Sequence, residues 1–307
     1  MRLDRAMDGY WLARRRKLAA ATQADYEITF RRLREFVGPE REMATIEAAD
    51  IDGLLNELAG RGLAAKSLAN AHTALSSLWT WAGPALGVAH VVRQVERPAW
   101  RRPLIEPFSQ EELAGMLRAC DSMEPYDRRW RRNVSAQRAT ALRDRAILLT
   151  LVDTGIRASE LTGLALQDYD ERKGRLHIRH GKGDKARMVF LGDTARMAVW
   201  RYLGTREGAG KEGPLFATRT GQAMDRAGLL HLVQRIGQRA GVAKTHPHRF
   251  RHTFAIWFLR NGGNPLELQR ILGHEKLETV LIYVRLAEVD IERAAKAASP
   301  VDGWRLK

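Results

Sequence analysis

Three stretches of this 307-residue chain gather residue types that handle phosphate and protons. In Thr154-Gly155-Ile156-Arg157-Ala158-Ser159-Glu160-Leu161, Gly155 permits a sharp turn and Arg157 then stands at a helix start. A helix N-terminus already favours an anion, so the arginine makes a phosphate-binding corner. The same Arg-x-x-Glu spacing also makes a surface ion pair. In Thr245-His246-Pro247-His248-Arg249-Phe250-Arg251-His252-Thr253-Phe254, Pro247 suits a first helical turn. His248 and Arg251, three apart, share one helical face and together can hold a phosphoryl oxygen and move a proton. The third stretch carries Leu272-Gly273-His274 and, nine positions beyond His274, Tyr283. Alone, Tyr283 also reads as a half-buried helix tyrosine, and His274 as a helix C-cap. Glu160, Asp153 and Asp168 read as structural carboxylates.

Other chemistry is poorly supported. His246, His248 and His252 have no Cys or carboxylate at ligand spacing, and His-Glu-x-x-His is absent, so no metal site is expected. No P-loop motif occurs. The single Cys120 excludes an intramolecular disulfide. No run of about 18 apolar residues could span a membrane, and no apolar leader segment is visible. A cytoplasmic, nucleoid-associated protein without cofactors is the expectation.

The elements that must position these residues fall into two domains. Net charge is +15, and nearly all of it lies after residue 100, which points to a polyanion. Residues 1–83 read as a helical bundle. One helix opens at the capping-box-like Thr22-Gln23-Ala24-Asp25 with Ile28, Leu33, Phe36 and Val37 on its apolar face; others cover 51–58 and 67–82. Glycines and prolines across 84–107 read as an extended basic linker. The second domain, 108–307, opens with a capping box at Ser109-Gln110-Glu111-Glu112. It holds an apolar helix over 143–150 and a hairpin, 175–179 against 186–191, around Gly181-Lys182-Gly183-Asp184. Helices follow Met224, ending in a tail helix over 286–298. The arginine-rich stretch 121–143 reads as a solvated or DNA-facing insertion. The fold class is mainly α with a small antiparallel β-sheet.

His248-x-x-Arg251-His252-Thr253-Phe254, Leu272-Gly273-His274 and Tyr283, with Thr154-Gly155-Ile156-Arg157 upstream, resemble the tyrosine recombinase (phage integrase) family. The Gly181–Arg187 hairpin resembles the segment carrying that family's β-hairpin lysine. The catalytic resemblance covers about residues 108–286. The N-terminal helices are more loosely similar to the family's SAM-like core-binding domain, through Gly62 to Ser67 leading into a helix that ends Trp79-Thr80-Trp81-Ala82.

The resemblance implies that Tyr283 attacks a scissile DNA phosphate, leaving a 3′-phosphotyrosyl bond and a free 5′ hydroxyl. Arg157 and Arg251 would clamp the non-bridging oxygens, and Lys182 would protonate the leaving oxygen. His248 would act as base toward Tyr283, and His274 would hydrogen-bond a phosphate oxygen. No metal or nucleotide is implied. Lys66, Ser67 and Asn70, with the linker's Arg101 and Arg102, are candidates to touch DNA. Two domains would clamp duplex DNA bearing inverted half-sites, and a homotetramer would exchange strands through a Holliday junction. The tail would dock on a neighbouring protomer or on its own domain.

Integration or excision of a mobile element is the expected task; Xer-type dimer resolution, a type IB topoisomerase-like relaxation and a non-catalytic DNA-binding regulator are the alternatives. With only about 20 residues before the first clear helix, no separate arm-type DNA-binding domain is expected.

Overall fold

The computed structural model describes residues 1–101, 106–121, 140–179, 186–206, 210–287 and Ser299. The chain divides into two compact units, Met1–Pro103 and Leu104–Lys307. The first is helical: α1 (Leu3–Arg14), α2 (Ala20–Val37), α3 (Ala48–Gly60) and α4 (Ala65–Leu86). Its core gathers Leu3 and Tyr10 from α1, Phe30 and Leu33 from α2, Leu54 and Leu58 from α3, and Leu75, Leu78 and Trp79 from α4. Tyr10 also hydrogen-bonds Ser77 at 2.8 Å, so its hydroxyl is satisfied inside the bundle.

The sequence expectations need correction here. The residues before Thr22 are not a bare lead-in: α1 is one wall of the bundle, with Leu3, Ala6, Met7 and Tyr10 buried. Helix α2 starts at Ala20 without a side-chain cap and buries Thr29, Phe30 and Leu33, while Ile28 and Phe36 are exposed. The capping box at Thr22 does not form, because the helix already runs through it. Residues 84–95 are not extended linker. Helix α4 continues through Pro84 to Leu86 and stops at the left-handed Gly87, and a 3₁₀ turn over Val91–Gln94 follows. Val92 and Val95 fill the bundle core, and His72 bonds the Val95 carbonyl at 3.1 Å. Burial of two valines outweighs the local breaking signals of glycine and proline.

The second unit is built around α6 (Ala141–Thr154), which packs against α5 (Gln110–Asp121), α8 (Asp193–Leu203) and α10 (Pro247–Arg260). At the start of α5 the capping box forms: Ser109 N–H donates to Glu112 Oε2 at 2.9 Å, and Glu112 N–H to Ser109 Oγ at 3.1 Å. After α6 come the short α7 (Ala158–Thr162) and an antiparallel sheet, β1 (Tyr169–Asp170), β2 (Arg175–Ile178) and β3 (Arg187–Phe190), in the order β1-β2-β3. Leu176 pairs with Val189, and both are buried. The remaining helices are α9 (Arg226–Arg239), α11 (Pro265–Leu272) and α12 (Glu278–Ala287). The main core runs from Phe108 through α6 to Phe250. A separate small cluster, which includes Ile256, Leu259, Leu268, Leu272 and Val280, holds α10, α11 and α12 together. The fold is mainly α with a small antiparallel sheet, as the sequence implied. The hairpin turn at 181–184, most of the 121–143 insertion and nearly all of the tail lie outside the described residues.

Candidate active site

The site begins where α6 ends. Gly155 takes the left-handed conformation, φ 60°, and a Cβ there would stand 2.5 Å from Phe254 and 2.9 Å from Leu272. Only glycine suits both demands, so the chain turns tightly beneath α10 and α11. Arg157 then caps α7, and its N–H donates to Glu160 Oε2 at 2.8 Å.

Helix α11 supplies the other side. Asn264 caps its start by accepting from Leu266 N–H at 2.7 Å, with Pro265 in the first turn. Gly273 closes it in the left-handed region at φ 63°. That turn leaves three consecutive carbonyls, and each accepts from an arginine. Arg187 Nε donates to Ile271 at 2.6 Å, Arg251 Nη2 to Leu272 at 2.8 Å, and Arg157 Nη2 to Gly273 at 3.3 Å. A helix C-terminus carries partial negative charge and orphan carbonyls, so it is a natural seat for cations. Arg251 also donates to the Gly155 carbonyl at 2.8 Å. The α6 and α11 turns are thus tied together by one side chain that is only 2% exposed.

Glu160 lies beneath this cradle. Burial alone would raise its pKa, but donation from Arg187 and from the backbone and side chain of Arg157 outweighs burial and holds it at about 2. Burial, and then the neighbouring Arg157, lower Arg251 to about 10, so its guanidinium stays charged at neutral pH. Three guanidiniums gather around the carboxylate of Glu160, two of them hydrogen-bonded to it.

His274 completes the cradle. Arg251 Nη2 lies 2.7 Å from its Nε2. Arginine can only donate, so Nε2 accepts and the proton sits on Nδ1. Burial, followed by the charges of Arg251 and Arg157, lowers the pKa of His274 to about 4. It is neutral, and its Nδ1 is buried with no hydrogen-bond partner among the described residues.

The imidazole lies parallel to the Tyr283 ring, with centroids 6.3 Å apart and an interplanar angle of 15°. Tyr283 belongs to the small α10–α12 cluster and is 4% exposed. Its hydroxyl is 2.9 Å from Nδ1 of His252. His248, exposed at the start of α10, sets its ring edge-on to His252 at 4.2 Å. The structure therefore brings Arg157, Arg251, His274 and Tyr283 together, and joins His248 to them through His252. Lys182 and Arg102 lie outside the described residues.

Among the DNA-contact candidates, Ser67 and Asn70 line a groove of about 400 Å³ between α2 and α4, with Tyr26 and Arg32 opposite. Lys66 instead places its Nζ 5.0 Å over the Trp100 ring. Arg101 is exposed. Among the described residues, no three His, Cys, Asp or Glu side chains gather where they could hold a metal.

The model of the phage integrase family matches residues 125–289, more than half of the chain. The chain belongs to that family. Tyrosine recombinase XerC of Pelobacter propionicus is 39% identical over 165 residues, 52% of this chain and 54% of that protein. XerC of Lactobacillus delbrueckii is 33% identical over 60% of its length. The chain thus spans about half to three-fifths of these two relatives. Tyrosine recombinase XerD of Pseudomonas aeruginosa is 28% identical over 299 residues, 94% of either chain.

Among solved structures, the phage integrase fold recurs in the Tn1549 transposon integrase in complex with circular intermediate DNA. That match has a TM-score of 0.78 at 18% identity, over 92% of this chain and 95% of that one. It recurs also in XerH bound to a palindromic difH substrate, with TM-score 0.69 at 23% identity over 91% and 79%.

Sequence reasoning missed three members of the site. Glu160 reads as a structural carboxylate or half of a surface pair, yet it is the buried anchor of two arginines. His252, which sequence reasoning did not single out, lies 2.9 Å from the Tyr283 hydroxyl. Arg187 carried a usable signal. Strand alternation puts it on the same face as the buried Val189, so a charged residue faces inward and demands a partner.

Proposed function

We propose that this chain is a site-specific DNA recombinase that cleaves and rejoins duplex DNA through a 3′-phosphotyrosyl intermediate and a Holliday junction. The observation that carries the reading is the convergence of Arg157, Arg251 and the Nδ1–H of His274 on one pocket, with the Tyr283 ring lying against it. A phosphodiester entering that pocket meets two guanidiniums and one neutral N–H donor. These groups gain most as charge builds on the non-bridging oxygens of the phosphorane. Tyr283 Oη forms the new bond to phosphorus, and the 5′ oxygen leaves with a proton from Lys182. Covalent attachment divides one hard transfer into two and keeps the phosphodiester energy for rejoining.

The phenol is buried, so α12 or its neighbours shift before attack. His252 holds the hydroxyl in the interior position, and His248, on the exposed side, is the group open to receive the phenolic proton once Tyr283 moves out. Ser67 and Asn70, in the groove between α2 and α4, with Lys66, Arg101 and Arg102, make the DNA contacts of the N-terminal half. The working assembly is a homotetramer on two sites built of inverted half-sites, in the cytoplasm.

Integration or excision of a mobile element is the main reading of the biological task. Dimer resolution is the second, supported by the nearly end-to-end match to a XerD protein. The chemistry is tested with a nicked half-site substrate, in which the cleaved strand diffuses away and traps the adduct. A denaturant-resistant protein–DNA adduct should form in chelator and without nucleotide. Formation that requires Mg²⁺ would overturn the mechanism.

A further inference from the structure

The two clamp arginines are not the only guanidiniums at the end of α11. Arg187, on β3, donates to Glu160 through both terminal nitrogens, Nη1 to Oε1 at 2.8 Å and Nη2 to Oε2 at 2.7 Å. Its Nε reaches the Ile271 carbonyl at 2.6 Å. This side chain therefore places a bidentate fork on one partner and a third donor on another, a geometry that lysine cannot copy. Its guanidinium lies against the Gly273 turn, 3.4 Å from where a Cβ would stand. It is nearly as buried as the carboxylate it holds, at 10% against 2% side-chain exposure.

The consequence falls on Arg157. Glu160 accepts from Arg157 Nη1 at 2.7 Å on the same oxygen that Arg187 Nη1 reaches. Without Arg187, the carboxylate would keep its full charge for Arg157 alone. A buried, desolvated pair of that kind would neutralise the arginine and draw it away from the Gly273 carbonyl and from any phosphate. With Arg187 present, the charge is shared. Glu160 then orients Arg157 through its backbone N–H and one terminal nitrogen, and the guanidinium's positive field remains available.

The geometry points to Arg187 as a positioning residue of the strand-cleavage reaction: it shares Glu160 so that Arg157 stays available to the phosphate, and it pins β3 to the α11 turn that carries His274. Its donors are directed at Glu160 and at the Ile271 carbonyl.

This inference rests on the proposed recombinase chemistry, and one assay separates the two. The rate of adduct formation on a nicked half-site is measured at saturating protein for wild type, Arg187→Gln, Arg187→Lys and the double variant Glu160→Gln/Arg187→Gln. Half-site affinity by gel shift and thermal melting are measured alongside. Arg187→Gln should slow the adduct by roughly 10²-fold, of the order of losing one preorganised donor, with affinity changed less than about threefold. Arg187→Lys should restore only a minor part of the rate. The double variant should be faster than Arg187→Gln, because neutralising Glu160 releases Arg157.

A wild-type rate in Arg187→Gln, a loss confined to affinity, or a double variant slower than Arg187→Gln would each overturn the inference. Should Arg187→Gln fail to fold, Arg187→Lys decides: a slowed rate at unchanged melting temperature supports it, and an undiminished rate overturns it. Absence of adduct in wild type would defeat the underlying chemistry itself.

Discussion

The two halves of the site are held in different ways. The arginine cradle lies between the end of α6 and the end of α11, where two left-handed turns, at Gly155 and Gly273, are cross-linked by Arg251, Arg157 and Arg187 through carbonyls and one buried carboxylate. The half that bears Tyr283 is a separate small apolar cluster of α10, α11 and α12, and its hydroxyl lies 2.9 Å from Nδ1 of His252. The difference assigns tasks. In the proposed reaction the cradle meets a charge that develops only in the transition state, and such groups act best when they need not move. Tyr283, the proposed nucleophile, is stored in a small apolar cluster, from which α12 must shift to expose it.

The comparison is broken most severely by removing a cradle arginine. Arg251→Ala should lower the rate of adduct formation by at least 10²–10³-fold while half-site binding persists, because the guanidinium acts chiefly in the transition state. Single-turnover cleavage against gel-shift affinity checks this. The substitution also strands the Gly155 and Leu272 carbonyls, so melting should be followed in the same preparation.

A second effect tests the rigidity of the cradle. Gly155→Ala must adopt φ 60° and drive a Cβ into Phe254, so it should destabilise the fold by about 2 kcal/mol or more, read as a lower denaturation midpoint with unchanged slope. The same exchange at Gly60, where nothing lies within 4 Å, should cost far less.

A smaller effect follows from His274. Its folded pKa, about 4, lies below the unfolded value of about 6.5. As pH falls from about 6.5 to 4 the unfolded chain takes up a proton that the folded chain refuses, so this residue costs stability progressively, by at most about 1.4 kcal/mol per pH unit. Glu160 works in the opposite sense and lower down. Its folded pKa of about 2 is depressed, so its stabilisation is full above the unfolded value and is lost as pH falls toward 2. His274→Gln should flatten the stability profile between pH 6.5 and 4.5 and leave the fall below pH 4 in place.

The smallest effect belongs to the tyrosine half. His252→Phe removes one hydrogen bond of the phenol and should cost about 1 kcal/mol or less. Amide exchange should quicken in α12 and stay unchanged in α7. Equal quickening in both would show that the two halves share one stability.

Much of the site was legible because its parts are local. The helix carrying His248 and Arg251 is set by Pro247 and the apolar run after it, and α11 by Asn264-Pro265 at one end and Gly273 at the other. What escaped was non-local. Arg187 and Glu160 are 27 residues apart, and nothing in a linear pattern pairs them. The His252 contact depends on how α12 rotates against α10, which spacing from Arg251 does not fix. The bundle shows the same limit. Val92 and Val95 follow a glycine and proline cluster that reads as linker, and only the cavity they fill makes them core. Helix α1 lacks a side-chain cap at its start, so its existence rests on the bundle that buries Leu3 and Tyr10.

The central claim is that Tyr283 is the nucleophile that the cradle serves. Wild-type protein should be trapped on a nicked half-site, the adduct digested with protease, and the DNA-linked peptide sequenced by mass spectrometry. The account predicts one linked peptide, spanning Tyr283, and no adduct from Tyr283→Phe at undiminished DNA affinity. A phosphotyrosyl bond at another residue, or an adduct that survives Tyr283→Phe at the wild-type yield, would contradict it.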